Sequence, residues 1–223
     1  MAEWRGRVLA IDSALETASA AVAAPGALLA AESFAGERSA DRLLALLDAA
    51  LAESRLRLPD LAAIAVARGP GSFTGVRVAL ATALGLHQAT GLPLFAASTL
   101  ELLARQAPET ARRVGVAVDA LRGEWYAQIF ERGPDGIRPL GDPEIRATEG
   151  LPGLEVDLWI GEARALPALE ALGVETLVGG ALAPALALAA ASGVLGEPTA
   201  RVPAPLYLRP PAAVARREAV DRG

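Results

Sequence analysis

The sequence contains no cysteine, no lysine and a single histidine, and each shortage excludes a class of chemistry. Without cysteine the chain forms no disulfide, thiolate nucleophile or zinc ribbon, which fits a cytoplasmic protein. Without lysine it cannot build a Walker phosphate loop, whose lysine must reach the β- and γ-phosphates. With one histidine, a metal site of several histidines is excluded, and a serine-histidine-acid triad would need His87. Since His87 falls inside an apolar helical pattern, we expect a core or interface residue there instead of a general base.

Charge and hydropathy argue against RNA or a membrane as a direct partner. The 223 residues carry a formal net charge of −5, so the chain has little electrostatic attraction for a polyanion. An uncharged run at 177–196 reaches the length of a spanning helix, about 20 residues, but glycines and a proline interrupt it. We expect a buried, alanine-rich helix at about 181–192 and no membrane segment.

The most informative segment is RGPGSFTGVR (68–77), which joins an apolar strand pattern at 61–67 to a helical pattern at 76–90. Ser72 or Thr74 is positioned to cap the helix, and the backbone amides of such a turn can hold an anion. The glycine spacing is one residue longer than the dinucleotide fingerprint, and no acid follows at the required offset. One interpretation is a tight turn that needs glycine for packing. The other is a vestigial or shared phosphate site formed by Gly69, Gly71, Ser72 and Thr74.

The order of the periodic patterns predicts an α/β protein of two domains. Three strand patterns within residues 8–33 open the chain, and helices then alternate with strands to about residue 106. We expect this β-β-β-α-β-α-β-α unit to form an N-terminal domain at 1–107 that carries partner-binding helices. A second domain at 108–223 begins with a new strand pattern and ends in a proline-rich tail.

Both halves open with an apolar strand that runs into an aspartate, Asp12 or Asp119. The match indicates either a duplicated unit or two solvated strand ends. A carboxylate at Asp12 could meet a metal-bound phosphate held at the glycine turn, which makes it the best-placed acid of the chain. The loop after it lacks the glycines that would bring backbone close to a β-phosphate. Weak binding of ATP or ADP is therefore more expected than hydrolysis.

Two helical patterns of the first half, at 36–54 and 76–90, carry more apolar surface than one side of a small sheet readily covers. An uncovered apolar face marks a partner site. Docking of two such helices against an equivalent pair would form the four-helix interface of a symmetric or pseudo-symmetric dimer. The alternative is that the second domain covers these faces.

Five segments, in order and across nearly the whole chain, resemble the TsaB family of bacterial tRNA threonylcarbamoyladenosine modification. They are VLAIDSALETASAAV (8–22), RGPGSFTGVRVALATALGL (68–86), LPLFAASTLELLA (92–104), VDALRGEWYAQIF (118–130) and PLYLR (205–209). The resemblance implies an actin-like, Hsp70-like nucleotide-binding (ASKHA) fold of two related domains, the second smaller and degenerate. It also implies a subunit with no catalytic or metal-binding residues of its own. The catalytic relative, TsaD, binds metal through helical histidines that have no counterpart here.

The resemblance further implies partners. In the family, the helices corresponding to 36–54 and 76–90 form a dimer surface, used with TsaD in the complex and with a second copy when TsaD is absent. We therefore expect a heterodimer with TsaD, association with the ATPase TsaE, a homodimer of the isolated chain, and access to tRNA only through the complex. The interface residues expected on these helices are Leu43, Leu47, Ala79, Ala83 and His87.

Two enzyme alternatives remain beside this scaffold hypothesis. One is a stand-alone ATPase or small-molecule kinase of the same fold, whose turnover of ATP would be lost on Asp12→Ala. The missing lysine and the altered loop after the first strand count against it. The other is a metallopeptidase, which the single histidine opposes.

Overall fold

The computed structural model describes residues 4–151, 154–201 and 203–209, and its first half is built on a five-stranded sheet. In chain order the elements are β1 (Val8–Asp12), β2 (Thr17–Ala24), β3 (Ala27–Ala35), α1 (Leu43–Ser54), β4 (Ala63–Ala67), α2 (Phe73–Thr90), β5 (Leu94–Ala97) and α3 (Thr99–Ala104). Strands β1 to β3 form an antiparallel meander, and β4 and β5 extend the sheet in parallel on the other side of β1. The strand order is β3-β2-β1-β4-β5. β1 and β4 are buried on both faces, which is why their sequences are continuous apolar runs.

The second half is built on a six-stranded sheet. Its elements are β6 (Arg113–Asp119), β7 (Glu124–Gly133), β8 (Gly136–Pro139), β9 (Glu144–Ala147), β10 (Leu158–Gly161), α4 (Leu166–Glu170), β11 (Thr176–Val178) and α5 (Ala183–Ala191). The strand order is β11-β10-β6-β7-β8, and β9 pairs with the part of β7 that β8 leaves free.

The two sheets repeat one topology. In each, the first strand pairs antiparallel with the second, as β1 with β2 and β6 with β7. The first strand also pairs in parallel with the strand that follows a crossover, as β1 with β4 and β6 with β10. Asp12 and Asp119 end the two equivalent strands. The repetition supports a duplicated unit, and the predicted α/β fold with two related sheets is confirmed.

Two apolar clusters lie on opposite faces of the first sheet. Helices α1 and α2 cover one face, where they pack on Leu9 and Ile11 of β1. Helices α3 and α5, together with the second sheet, cover the other face, where Val8 and Ala10 lie. Successive side chains of a strand point to opposite faces, so the alternation along β1 supplies both clusters. The helix layer of α1 and α2 is therefore the outermost layer on its side.

Most predicted elements are confirmed in type, with changes at their ends. The helix expected at 36–54 becomes an α-helix only at Leu43, because Arg38 adopts a left-handed φ of 56° and a short 3₁₀ turn follows at Ser39–Arg42. The alanine-rich helix expected at 181–192 is α5, which is nine residues long. Within the described ranges, no helix is long and apolar enough to cross a membrane.

The domain boundary expected after residue 107 stays a prediction. The two sheets lie on either side of it, since β5 ends at Ala97 and β6 begins at Arg113. Helix α5 nevertheless returns from the second half to contact β1 and β2, and one apolar cluster joins residues of both sheets. In the proline-rich tail, Pro210 and Pro211 lie outside the described residues.

Candidate functional site

The glycine turn (residues 69–75) joins β4 to α2 and is shaped by glycine and a serine cap. Gly69 has a φ of +92°, a conformation that glycine adopts at little cost. The Ser72 hydroxyl accepts a hydrogen bond from the Gly75 amide at 3.3 Å, so Ser72 is the N-cap of α2. Thr74 lies inside the first helical turn. The sequence allowed either Ser72 or Thr74 as the N-cap, and in the structure Ser72 caps the helix.

The glycine turn lies in direct backbone contact with the loop that follows β1. A Cβ atom added at Gly75 would lie 1.8 Å from the Ser13 carbonyl oxygen, and one at Gly71 would lie 2.3 Å from that of Ala14. The Ser72 amide donates to the Ala14 carbonyl at 2.7 Å, and the Ser13 hydroxyl donates to the Gly75 carbonyl at 2.8 Å. Packing therefore requires glycine at both positions, and no phosphate fits between the two loops where they touch.

Asp12, the last residue of β1, is fully buried beside this contact. Its Oδ1 accepts the Ala14 amide at 3.0 Å, while Oδ2 has no hydrogen-bond partner among the described residues. Burial raises the pKa of Asp12 to about 7, against a smaller lowering by backbone hydrogen bonds. At neutral pH the carboxyl is thus partly protonated and has no solvent contact. Both conditions disfavour the binding of a cation.

In the structure Asp12 lies next to the glycine turn, which is hydrogen-bonded to Ser13 and Ala14 immediately after it. Tight packing accounts for Gly71 and Gly75, whereas a phosphate-binding role of Gly69, Gly71, Ser72 and Thr74 stays a prediction. No group of three or more histidines or acids within residues 4–151, 154–201 and 203–209 is arranged to hold a metal ion.

An ion cluster joins the two halves of the chain next to the β1 loop. Arg164, in the 3₁₀ turn after β10, donates to the Glu16 carboxylate through two nitrogens, with Nε at 2.7 Å. Its Nη1 lies 3.8 Å from an Asp119 carboxylate oxygen. Glu162 accepts the Asp119 amide at 2.9 Å, and burial raises the pKa of Glu162. Sequence reasoning missed this cluster, since the Arg164–Glu16 pair spans 148 positions and no periodicity marks it.

Most of the expected interface residues lie inside the core, which corrects the expectation for them. Four are at most 4% exposed in the isolated chain: Leu43, Leu47, Ala79 and Ala83. They fill the cluster between α1, α2 and the first sheet, so their side chains have no surface to offer a partner. His87 is half-buried, and its Nδ1 donates to the Leu92 carbonyl at 2.8 Å, just beyond the end of α2. The expected histidine contact with a partner stays a prediction.

The outward face of the same two helices carries mostly small apolar residues, with the polar side chains of Asp48, Glu53 and Gln88 exposed among them. Leu44 of α1 is 63% exposed. The other exposed positions of this kind are Ala45, Ala49 and Ala52 on α1 and Ala81, Gly85 and Ala89 on α2. Helix α1 packs over β2 and β3, and α2 over β1 and β4, so the helices lie side by side. Short side chains let a further helix approach such a layer closely.

Comparison with known proteins gives one family match and several relatives. A family model described as "TsaD: tRNA N6-adenosine threonylcarbamoyltransferase" matches residues 33–209, well over half of the chain. The tRNA threonylcarbamoyladenosine biosynthesis protein TsaB of Escherichia coli (strain K12) is 38% identical over 133 residues, or 59% of this chain and 58% of that protein. TsaB of Haemophilus influenzae is 38% identical over 121 residues, or 53% and 51%. The aligned part of the chain thus spans little more than half the length of these relatives.

Two solved structures from Pseudomonas aeruginosa are similar over almost the whole chain. An uncharacterized protein with similarity to peptidase YeaZ superposes with a TM-score of 0.77 at 30% identity, covering 91% of this chain and 99% of that chain. YeaZ superposes with a TM-score of 0.75 at 29% identity, with the same coverage of both chains. The structural similarity therefore extends well beyond the stretch aligned with the curated relatives.

Proposed function

Because this chain belongs to the family that the TsaD model describes and, within it, to the TsaB proteins, we propose that it is a non-catalytic subunit in tRNA threonylcarbamoyladenosine synthesis. It pairs with a TsaD protein through the outward face of α1 and α2. In that pair it supports the transfer of a threonylcarbamoyl group to the adenosine next to the anticodon. Its contribution is the shape of a surface, while the reacting groups belong to the partner.

The residues that catalysis would need support the non-catalytic part of the proposal. The single histidine, His87, is hydrogen-bonded to the Leu92 carbonyl. Asp12 is buried, and the two loops that would have to enclose a phosphate are in contact with each other. A nucleotide could therefore bind only outside that contact, and any binding of ATP or ADP by the isolated chain would be weak.

The observation that carries the proposal is the outward face of α1 and α2. Two adjacent helices form the outermost layer, and they expose Leu44 together with alanine and glycine positions, among which Asp48 and Gln88 are also exposed. Two such layers that face each other form a four-helix interface, and small residues at its centre permit close packing. A protein of the same fold offers an equivalent pair of helices. The same face also supports a homodimer of the isolated chain, about a two-fold axis.

The remaining partners follow from this arrangement and are part of the proposal. TsaE joins the pair, and tRNA is reached only through the assembled complex, because a chain with a net charge of −5 has little attraction for RNA. The absence of cysteine fits the cytoplasm, where the modification of tRNA would take place.

The test is the mass of the complex, measured by light scattering, for this 22.8 kDa chain mixed with its cognate TsaD. Leu44→Glu and Ala81→Glu place a charge on the outward helix face, and both should abolish pairing while the monomer stays folded. Leu140→Glu is the matched control, because Leu140 is 42% exposed but lies directly after β8, away from α1 and α2. Absence of a complex between the wild-type proteins, with or without nucleotide and TsaE, would refute the scaffold role.

The ATPase or kinase alternative makes an opposite prediction. It requires turnover of ATP by the isolated chain, and loss of that turnover on Asp12→Ala. The burial of Asp12 and the raised pKa of its carboxyl do not favour this alternative. Measurement of phosphate release by the purified chain separates the two hypotheses directly.

A further inference from the structure

Two side chains of the segment 68–77 are not explained by the packing of the glycine turn. Phe73 is 46% exposed at the start of α2, and Arg77 is exposed one turn later. Both contact Tyr207, which is 38% exposed and belongs to the C-terminal strap, the described residues 203–209. The three side chains form a stack on the protein surface, named here the Phe73–Arg77–Tyr207 stack.

The stack has a defined geometry. The rings of Phe73 and Tyr207 lie 5.8 Å apart at an interplanar angle of 30°. The Arg77 guanidinium carbon lies 3.7 Å from the centre of the Phe73 ring, and its Nε donates to the Tyr207 hydroxyl at 3.0 Å. Stacking on an aromatic face suits the planar, weakly hydrated guanidinium. The three side chains therefore hold one another in place before any partner binds.

The backbone of the strap is also fixed. The Leu206 amide donates to the Arg68 carbonyl at 2.7 Å, next to the glycine turn. Arg209 donates to the Ala120 carbonyl at 3.2 Å and to the Glu124 carboxylate, both at the turn between β6 and β7. Tyr207 is thus held between two anchored residues. A surface whose side chains are ordered in advance loses less entropy when it binds.

The charge of Arg77 is not neutralised within the described chain. No carboxylate of the described residues forms an ion pair with it, and its one hydrogen bond to a side chain, through Nε, leaves the two terminal nitrogens as donors. These nitrogens can bind a carboxylate in a bidentate manner. Phe73, Arg77 and Ala81 follow one another at four-residue intervals, so the stack continues the outward face of α2.

We infer that the Phe73–Arg77–Tyr207 stack is the charged anchor of the partner surface and binds an aspartate or glutamate of the partner protein. The inference rests on the proposed pairing through α1 and α2. Aromatic and arginine side chains that are ordered and central tend to dominate protein interfaces. The two exposed rings favour the apolar stem of an acidic side chain over an RNA phosphate, and the one arginine of the stack, on a chain of net charge −5, offers little to a polyanion.

The experiment measures the Kd of the full-length chain for its cognate TsaD by calorimetry, using three variants and one control. Arg77→Glu should weaken pairing by roughly thirtyfold or more, and Arg77→Met, which keeps the apolar contact with Phe73, by roughly tenfold. Tyr207→Phe removes only the hydrogen bond that orients Arg77 and should have a smaller effect. Arg7→Glu makes the same charge change before β1, at an exposed residue, and should leave the Kd unchanged.

The outcomes separate the inference from the proposed function. Pairing of the wild type with equal Kd values for Arg77→Glu and Arg7→Glu overturns the inference and leaves the scaffold role intact. Unchanged protein pairing, with weaker tRNA binding by the complex of the Arg77 variants, overturns it in favour of a phosphate ligand. Failure of the wild type to pair removes the proposed function and the inference together. Circular dichroism checks the fold of each variant, and Arg77→Met carries the test if Arg77→Glu does not fold.

Discussion

The Arg164 guanidinium binds the Glu16 carboxylate and thereby links the loop after β1 to the end of β10. A second arginine, Arg209, connects the C-terminal strap to the Ala120 carbonyl of the second half, while the strap is bonded to the Arg68 carbonyl of the first. The two halves are thus joined by polar contacts near the ends of both equivalent strands, β1 and β6. For the role proposed above, in which the chain presents a surface to a partner, two halves held in one arrangement are an advantage.

Substitution of Arg164 should lower the stability of the protein modestly. The side chains of Arg164 and Glu16 are 52% and 37% exposed, so solvent screens the pair. For Arg164→Met we expect a loss of about 0.5–1 kcal/mol in the free energy of unfolding by urea, and a smaller loss in 1 M salt because ions screen exposed charges.

Arg38→Met is the control for this substitution. It breaks a local ion pair with Asp41, three residues along the chain; the side chains of Arg38 and Asp41 are 83% and 57% exposed. No measurable change in stability is expected there. An equal loss of stability in the two variants would show that the Arg164–Glu16 pair between the halves contributes no more than a local surface ion pair.

The buried carboxyl of Asp12 should make stability fall as pH rises. Its pKa is raised from 3.8 to about 7 in the folded protein, so between these values the folded state binds more protons than the unfolded state. The contribution of Asp12 is therefore fully present below pH 3.8 and is lost as pH rises towards about 7.

Asp12→Asn removes this dependence while its side-chain oxygen can still accept the Ala14 amide. Burial also raises the pKa of Glu162, but this residue is present in both proteins, so its contribution to the pH dependence cancels in the comparison. Urea unfolding at mildly acidic and mildly alkaline pH should show the variant gaining stability relative to the wild type as pH rises. Parallel pH profiles of the two proteins would show that Asp12 does not titrate in this range.

Replacing two glycines of α2 with alanine should change the free energy of unfolding in opposite directions. At Gly75 the new Cβ would lie 1.8 Å from the Ser13 carbonyl oxygen, so the backbone must shift, and we expect a loss of about 1–3 kcal/mol in unfolding free energy. At Gly85 nothing lies within 4 Å of the new atom, and alanine in the helix interior should add about 0.5–1 kcal/mol. Thermal unfolding of the two variants provides the measurement, and a neutral Gly75→Ala would contradict the close contact with the β1 loop.

Most helices and strands could be predicted from the sequence, because hydrophobic periodicity reflects local structure. The apolar runs at β1 and β4, the hairpin of β2 and β3 and the alternation along β7 each depend on neighbours in the chain. Periodicity does not predict which face of the helices is exposed. The widest apolar stripe of α1, which includes Leu43 and Leu47, is the stripe that faces the core, whereas the exposed face with Leu44 is less apolar and carries no distinct period.

Contacts between distant segments have no local signature. The pair of Arg164 with Glu16 and the stack of Tyr207 on Phe73 each need the complete fold to bring their members together. The glycine turn shows the same limit in another form. Glycine spacing is compatible with both an anion site and close packing, and only the position of the Ser13 carbonyl shows that packing requires glycine at Gly75.

The start of α2 offers a final test, because two hydroxyl residues lie within one turn and only one caps the helix. Ser72 accepts the Gly75 amide at 3.3 Å, whereas Thr74 is already helical and exposed. Ser72→Ala should lower the free energy of unfolding by about 0.5–1 kcal/mol, since an amide of the first turn loses its acceptor. Thr74→Ala should leave stability unchanged or raise it slightly, because alanine favours the helix more than threonine. Urea unfolding of both variants measures the two effects. A larger loss of stability for Thr74→Ala than for Ser72→Ala would contradict Ser72 as the N-cap of α2.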